Sequence, residues 1–238
     1  MSHRSQTDKW MIFVSDNLVV RRWQRLKYLR ALNMVKAERS KIVLDLGCGS
    51  GSLLRYLSRV FDDVIGLEID LSYLREIAQL DIPGISLLRT DGRKLPFTSG
   101  SVDIVYSIGV LEHMDRVQEC VAEVHRILRK RGSFVIGSPV ESGLALALKA
   151  IFNKLVSYES EEKVSFASAL KTFSMRTRTE RTHFYHVGKD SQFGHRGYRW
   201  EDMLGLVREH FHVENLEFFP FDSLKTMSPY VFFRLIRL

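Results

Sequence analysis

The chain has 238 residues, 45% hydrophobic and 26% charged, which excludes a disordered or fibrous chain and fits one large globular domain. Its two cysteines, Cys48 and Cys120, exclude a disulfide framework and a four-thiolate zinc site, and suit a reducing, cytoplasmic compartment. The formal charge of +7 is uneven, with basic residues crowding 1–60 and acidic ones 61–124, and a basic surface of this kind can meet nucleic acid, anionic lipid or a phosphorylated small molecule.

The first residues, MSHRSQTDKW, lack the apolar stretch of a secretory leader, and no uncharged apolar run is long enough to cross a bilayer as a helix. Residues 1–40 read as a helical lid. From Lys41 to Pro139 strands and helices alternate. Lys41–Leu46 (KIVLDL) is a short apolar strand that ends in glycines. Residues 51–60 place Leu53, Leu54, Leu57 and Val60 at helical spacing. Asp63–Ile69 is a second strand, followed by a helix to about Leu80. Pro83 and Gly84 punctuate before a third strand, Ile85–Leu88. A fourth spans Val102–Ser107. Asp115 reads as the N-cap of a helix striped with Val117, Val121, Val124 and Leu128, and Gly132 as its end. Ser133–Ser138 is a fifth strand. Beyond Pro139 the rhythm breaks, and 141–197 is too long for a plain loop. A helix from Trp200 to about His210 and strands at His212–Phe219 and Tyr230–Ile236 close the chain. This alternation predicts a parallel sheet with helices on both faces.

Where the first strand meets the first helix, the chain reads VLDLGCGSG (Val43–Gly51). Gly47, Gly49 and Gly51 permit a tight turn and close approach of backbone to a ligand, and the helix that follows directs unpaired N–H groups at it. The glycines by themselves also suit a dinucleotide. That fingerprint wants Gly or Ala where Ser52 stands, and no G-x-x-x-x-G-K-[ST] loop occurs. The motif resembles the first motif of class I S-adenosylmethionine-dependent methyltransferases, and later landmarks of that family follow in order. Glu68, in VIGLEID, resembles the family acid that takes the ribose hydroxyls, for which two carboxylate oxygens are suited. Asp91, in TDGRKLPF, resembles the acid beside the adenine. SVDIVYSIGVLEHM (Ser101–Met114) resembles the segment carrying the fourth strand to the active-site mouth, and RKRGSFVIGSP (129–139) the passage into the fifth. The resemblance therefore implies S-adenosyl-L-methionine as cofactor, held by Asp45, Gly47, Cys48 and Gly49, by Glu68 and Ile69, by Asp91 and Gly92, and by Ser107. Cys48 is expected to pack rather than react.

The acceptor is less legible, because transfer from a sulfonium mainly needs the nucleophile positioned and deprotonated. Ser107-Ile108-Gly109-Val110 lacks the polar–Pro–Pro–aromatic signature of relatives that methylate base amines, and no proline precedes a cysteine, as cytosine C5 chemistry requires. SIGVLEHM resembles members acting on quinones, lipids and sugars. His113 is the natural general base. His183, His186 and His195 cluster in the insertion without a clear fourth metal ligand. Gly194-His195 with Tyr198 resembles a segment of glycan- and lipid-modifying relatives, which makes His195 a second catalytic candidate. Residues 144–156 (LALALKAIFNKLV) form an apolar stripe that either packs the cap onto the sheet or, with basic Arg21, Arg22, Arg25, Lys27 and Arg30, contacts a membrane surface.

The sequence thus predicts one methyltransferase domain over 1–238, with a lid at 1–40, a cofactor-binding core at 41–140, a helical cap at 141–197, and a last helix and two strands at 198–238. Its fold is α/β and Rossmann-like, a seven-stranded, mostly parallel sheet whose last strand is antiparallel. The expected reaction is O-methylation of a small or lipid- or glycan-linked acceptor, in the cytoplasm or peripherally at the membrane, without a metal. The alternatives are methylation of RNA, for which Arg21, Arg22, Arg25, Lys27 and Arg30 offer phosphate contacts, and a non-catalytic, cofactor-binding regulatory subunit.

Overall fold

The computed structural model describes residues 17–39, 41–140 and 199–238. The expected cap at 141–197, including 144–156, His183, His186 and His195, lies outside them. The described chain opens with α1 (Leu18–Asn33), whose N-terminus is capped by Asn17: its side-chain oxygen accepts from Val19 N at 2.9 Å and Val20 N at 3.4 Å. Then follow β1 (Ile42–Leu46), α2 (Leu54–Leu57), β2 (Asp63–Glu68), α3 (Leu71–Ala78), β3 (Ile85–Arg89), β4 (Val102–Ile108), a 3₁₀ turn at Leu111–His113, α4 (Val117–Ile127) and β5 (Leu128–Pro139). After the insertion come α5 (Trp200–Arg208), β6 (His212–Phe219) and β7 (Tyr230–Ile236).

Among the described residues seven strands form one sheet in the order β3-β2-β1-β4-β5-β7-β6. Neighbours from β3 to β5 are parallel, and β7 runs antiparallel to both β5 and β6. This is the expected mostly parallel sheet with an antiparallel last strand. In β1 the successive residues Val43 and Leu44 are both fully buried, as a strand covered on both faces must be. Val43 joins the core under α1, α2 and α3, with Tyr28, Leu54 and Ile77. Leu44 joins the core under α4 and α5, with Val121, Val124, Met203 and Val207.

Three local expectations are corrected. The helix expected at 51–60 is regular only over Leu54–Leu57; positive φ at Gly49 and Gly51 keeps the chain turning until Leu53, although Leu53, Leu54 and Leu57 are buried as the spacing implied. Asp115 does not cap α4. Arg116 holds the cap position in the left-handed region, at φ 49, and the helix starts after it. The same helix ends at Ile127, well before Gly132. The Arg237 guanidinium donates to the carbonyls of Arg126 and Leu128, while Arg131 N donates to Arg237 O at 2.8 Å and Arg237 N to Gly132 O at 3.1 Å. These bonds from the end of β7 draw residues 128–132 into β5.

Candidate functional site

Strand order reverses between β2-β1 and β4-β5, so the carboxyl ends of β1 and β4 open a crevice where ligands of open α/β sheets bind. The glycine loop leaves β1 there. Gly47 and Cys48 both donate their N–H to Leu67 O, at 2.8 and 3.0 Å, and Gly51 N donates to Cys48 O at 2.9 Å. Gly47 has φ +73, and a Cβ on it would stand 2.6 Å from both Val110 methyls. Gly49, at φ +48, faces open space: apart from its chain neighbours, no atom of the described residues lies within 4 Å of where its Cβ would be. The loop is thus locked against residues 109–110 on one side and clear on the other.

Glu68 ends β2 beside this loop. Its Oε1 accepts from Ile69 N at 2.8 Å and Asp70 N at 3.1 Å, and its Oε2 accepts from Gly49 N at 2.9 Å. Three of roughly four lone-pair directions are therefore taken, leaving about one for an incoming hydroxyl. Taking both ribose hydroxyls requires the Gly49 N–H to release Oε2.

Asp45 is buried in β1, paired with Gly66 of β2 and Tyr106 of β4. Burial, and then the charge of Glu68, push its carboxyl up to about 8. Its Oδ2 has no hydrogen-bond partner among the described residues. A buried carboxyl with spare acceptor capacity suits a ligand bearing N–H donors and positive charge. Because the folded pKa lies above the ordinary 3.8, the folded state holds a proton that the unfolded chain releases. That stabilising contribution is complete below pH 3.8 and is lost as pH rises towards 8. This carboxyl by itself should accordingly contribute a fall in stability of about 1.4 kcal/mol per pH unit across that window. Asp45→Asn should flatten the fall, as thermal unfolding at stepped pH will show.

The other expected residues are placed less openly. Asp91 is gripped by Arg93, whose Nε lies 2.9 and 3.0 Å from its two oxygens and whose backbone N donates to Oδ1 at 3.0 Å. The hydrogen bonds and charge of Arg93 hold the Asp91 carboxyl below the usual carboxylate range against a smaller opposing effect of burial. Gly92 is a packing glycine, where a Cβ would approach Leu46, Met114 and Cys120 at 3.2–3.3 Å. Cys48 is buried with its sulfur over Gly66, and burial pushes its thiol up. Ser107 is fully buried, its hydroxyl without a partner among the described residues. Ile69 directs its N–H inward to Glu68. His113 closes the 3₁₀ turn beyond β4, half-buried, its backbone N donating to Val110 O at 2.9 Å. Among the described residues no cluster of His, Cys, Asp and Glu could hold a metal ion, and no helix is long and apolar enough to cross a membrane.

Sequence reasoning missed the contribution of α1 and β7. Tyr28 of α1 is buried against Asp45 and bonds Ser52 of the glycine loop; burial chiefly raises its phenol, the Asp45 charge adding and the Ser52 bond opposing. Buried Lys27 sets its ammonium 4.9 Å from the Tyr28 ring centre and 5.1 Å from that of Tyr230 in β7. A Cβ on Gly109 would stand 3.5 Å from the Tyr230 hydroxyl and 3.8 Å from Glu112 Oε1. Polar groups from α1, β4 and β7 thus meet at the mouth, across sequence distances that no local pattern encodes.

Residues 44–136 match a family model described as a methyltransferase domain. A malonyl-[acyl-carrier protein] O-methyltransferase of Pectobacterium atrosepticum is 30% identical over 125 residues, 51% of this chain and 48% of that protein. An 18S rRNA (guanine(1575)-N(7))-methyltransferase of Saccharomyces cerevisiae is 29% identical over 119 residues, 45% of this chain and 43% of that protein. A solved structure of a Pyrococcus horikoshii protein superposes with a TM-score of 0.66 at 17% identity, over 98% of this chain and 99% of that one, which shows a common fold. The chain spans only 30% to 64% of the length of the curated relatives it matches.

Proposed function

We propose that the protein, whose residues 44–136 match a family model described as a methyltransferase domain, moves a methyl group from S-adenosylmethionine to a hydroxyl of a small or lipid-linked acceptor, with His113 as base. The observation that carries the reading is Glu68, fixed by three N–H groups at the end of β2 beside a glycine turn that opens on clear space. With the spare acceptor of buried Asp45, these residues fit the cofactor: the loop lets backbone approach it, Glu68 takes a ribose hydroxyl, and Asp45 offers a carboxyl to its amino group. Asp91, Gly92, Cys48, Ile69 and Ser107 complete the proposed cradle, Asp91 facing the adenine.

When bound, S-adenosylmethionine supplies an electrophilic methyl on a sulfonium whose leaving group is a neutral thioether. The chain's own work is to orient the acceptor and take its proton. A hydroxyl is a poor nucleophile until that proton leaves, and His113 stands at the carboxyl end of β4 with Glu112 and Tyr230 near by at Gly109. The relatives' own acceptors, an acyl carrier and an rRNA base, differ in class, so the choice of a hydroxyl rests on this polar mouth. The insertion at 141–197 departs from the carboxyl end of β5, the same edge of the sheet, which supports its role as a cap and a part for His195 in the acceptor pocket. The lid at 1–40 and the closing segment at 198–238 complete the proposed single domain.

Glu68→Ala should weaken cofactor binding by about 1.5–3 kcal/mol, the range for hydrogen bonds to a charged group, or roughly 10–150-fold. Titration calorimetry reads this directly, and unchanged affinity would remove the assignment of Glu68. Activity is tested by incubating the protein with methyl-labelled cofactor and either lipid or water-soluble extract. Label in an alkali-stable ether of the extract supports the reading, and label in an alkali-labile ester points to a carboxylate acceptor instead. Label in RNA points to the rRNA-type alternative, and cofactor binding without any transfer points to a regulatory subunit.

A further inference from the structure

Helix α1 carries two apolar faces. One buries Val20, Tyr28 and Ala31 against the sheet. The other is exposed: Leu18 at 69%, Val19 at 49% and Leu26 at 45% of their full accessibility. At about 3.6 residues per turn, Leu18, Val19, Arg22, Arg25 and Leu26 share one outward arc, with Arg21 at its margin. All three arginines are exposed, and none is ion-paired among the described residues. No acid occurs anywhere in α1. Arg30, by contrast, is paired with Glu217 and Asp222, and this ties α1 to the β6–β7 connection, where Phe221 at 53% and Leu224 at 47% are also exposed beside Lys225.

We propose that the outer face of α1, extended by the β6–β7 connection, docks the protein on an anionic lipid surface. Apolar side chains alternating with unpaired cations on one arc are what a helix lying in a membrane interface requires: the leucines enter the acyl boundary and the guanidiniums meet lipid phosphates. A second copy fits worse, because a face-to-face pair would bring the unpaired arginines of both chains together. An RNA fits worse too, because the groups between the arginines are aliphatic and offer no stacking surface to bases. The inner face of the same helix carries Tyr28 to Ser52 and Asp45, so docking sets the membrane one helix away from the cofactor loop. This deepens the acceptor reading above, and rests on it, by selecting a lipid-linked acceptor over a free one.

The test is co-sedimentation of the full chain with vesicles of phosphatidylcholine alone or mixed with phosphatidylglycerol. Binding is expected only to the mixed vesicles and should fall as NaCl rises. Arg22→Ser and Arg25→Ser should each weaken it about fivefold, and Leu26→Ser about tenfold. Circular dichroism and cofactor affinity should stay those of the wild type, since these side chains are exposed and outside the cofactor cradle. Absence of binding to the mixed vesicles, or binding indifferent to all three variants, overturns the proposal. So does RNA binding that the arginine variants abolish and Leu26→Ser spares, or a dimer in light scattering that Leu26→Ser dissociates. Vesicle binding is read without cofactor, so a failure of Glu68→Ala to alter cofactor affinity strikes the methyl-transfer reading and leaves docking standing.

Discussion

Replacing His113 by alanine is expected to slow methyl transfer by about 10²–10⁴-fold, the contribution of a positioned general base. Cofactor affinity should remain that of the wild type, because His113, in the 3₁₀ turn beyond β4, is not among the residues proposed to hold the cofactor. The two readouts separate chemistry from binding. A structural role for the imidazole would lower the thermal midpoint and affinity together. Turnover reduced by less than about tenfold assigns the acceleration to orientation of the acceptor instead.

The second large effect is expected at Gly47. A side chain there must adopt φ +73 and force its Cβ to within 2.6 Å of both Val110 methyls. The left-handed conformation costs about 1–2 kcal/mol and overpacking about 1–3, so Gly47→Ala should lose about 2–5 kcal/mol in urea unfolding, against total stabilities of about 5–15. Adding Val110→Ala should restore part of the loss, because it removes the methyls that clash. Gly49→Ala is the contrast. With nothing beyond its chain neighbours within 4 Å of its Cβ among the described residues, it should cost only the conformational part, about 1–2 kcal/mol, yet weaken cofactor binding by placing a methyl in the open space over the loop. A Gly47→Ala protein as stable as wild type would show that the loop and residue 110 do not pack as described.

The local part of this protein is written in neighbouring residues. The apolar run Ile42–Leu46 followed by Gly47, Gly49 and Gly51 specifies a buried strand and a turn that needs positive φ, and the structure shows all three glycines there. Strands β2, β3, β4, β6 and β7 fall within a residue or so of their periodic patterns, because alternation, punctuation by Gly and Pro, and β-branched content are short-range signals. The position of Glu68 at the end of β2 was legible for the same reason.

Tertiary structure decided what depends on groups far apart in the chain. The end of α4 was set by Arg237, which takes the carbonyls of Arg126 and Leu128 across more than a hundred residues of sequence and turns 128–132 into strand. The hydrogen bond from Gly49 N to Glu68 Oε2, the burial that lifts Asp45, and the meeting of Lys27, Tyr28 and Tyr230 required β1 beside β2 and α1 against the sheet. The exposed arc of α1 likewise emerged only once its opposite face was buried. The sequence by itself determined most of the elements and the glycine turn after β1, since propensity and periodicity act over a few residues. Only the fold decided which charges lose water, which carbonyls find a distant donor and which apolar face stays outside, because desolvation and packing depend on every element that closes around a residue.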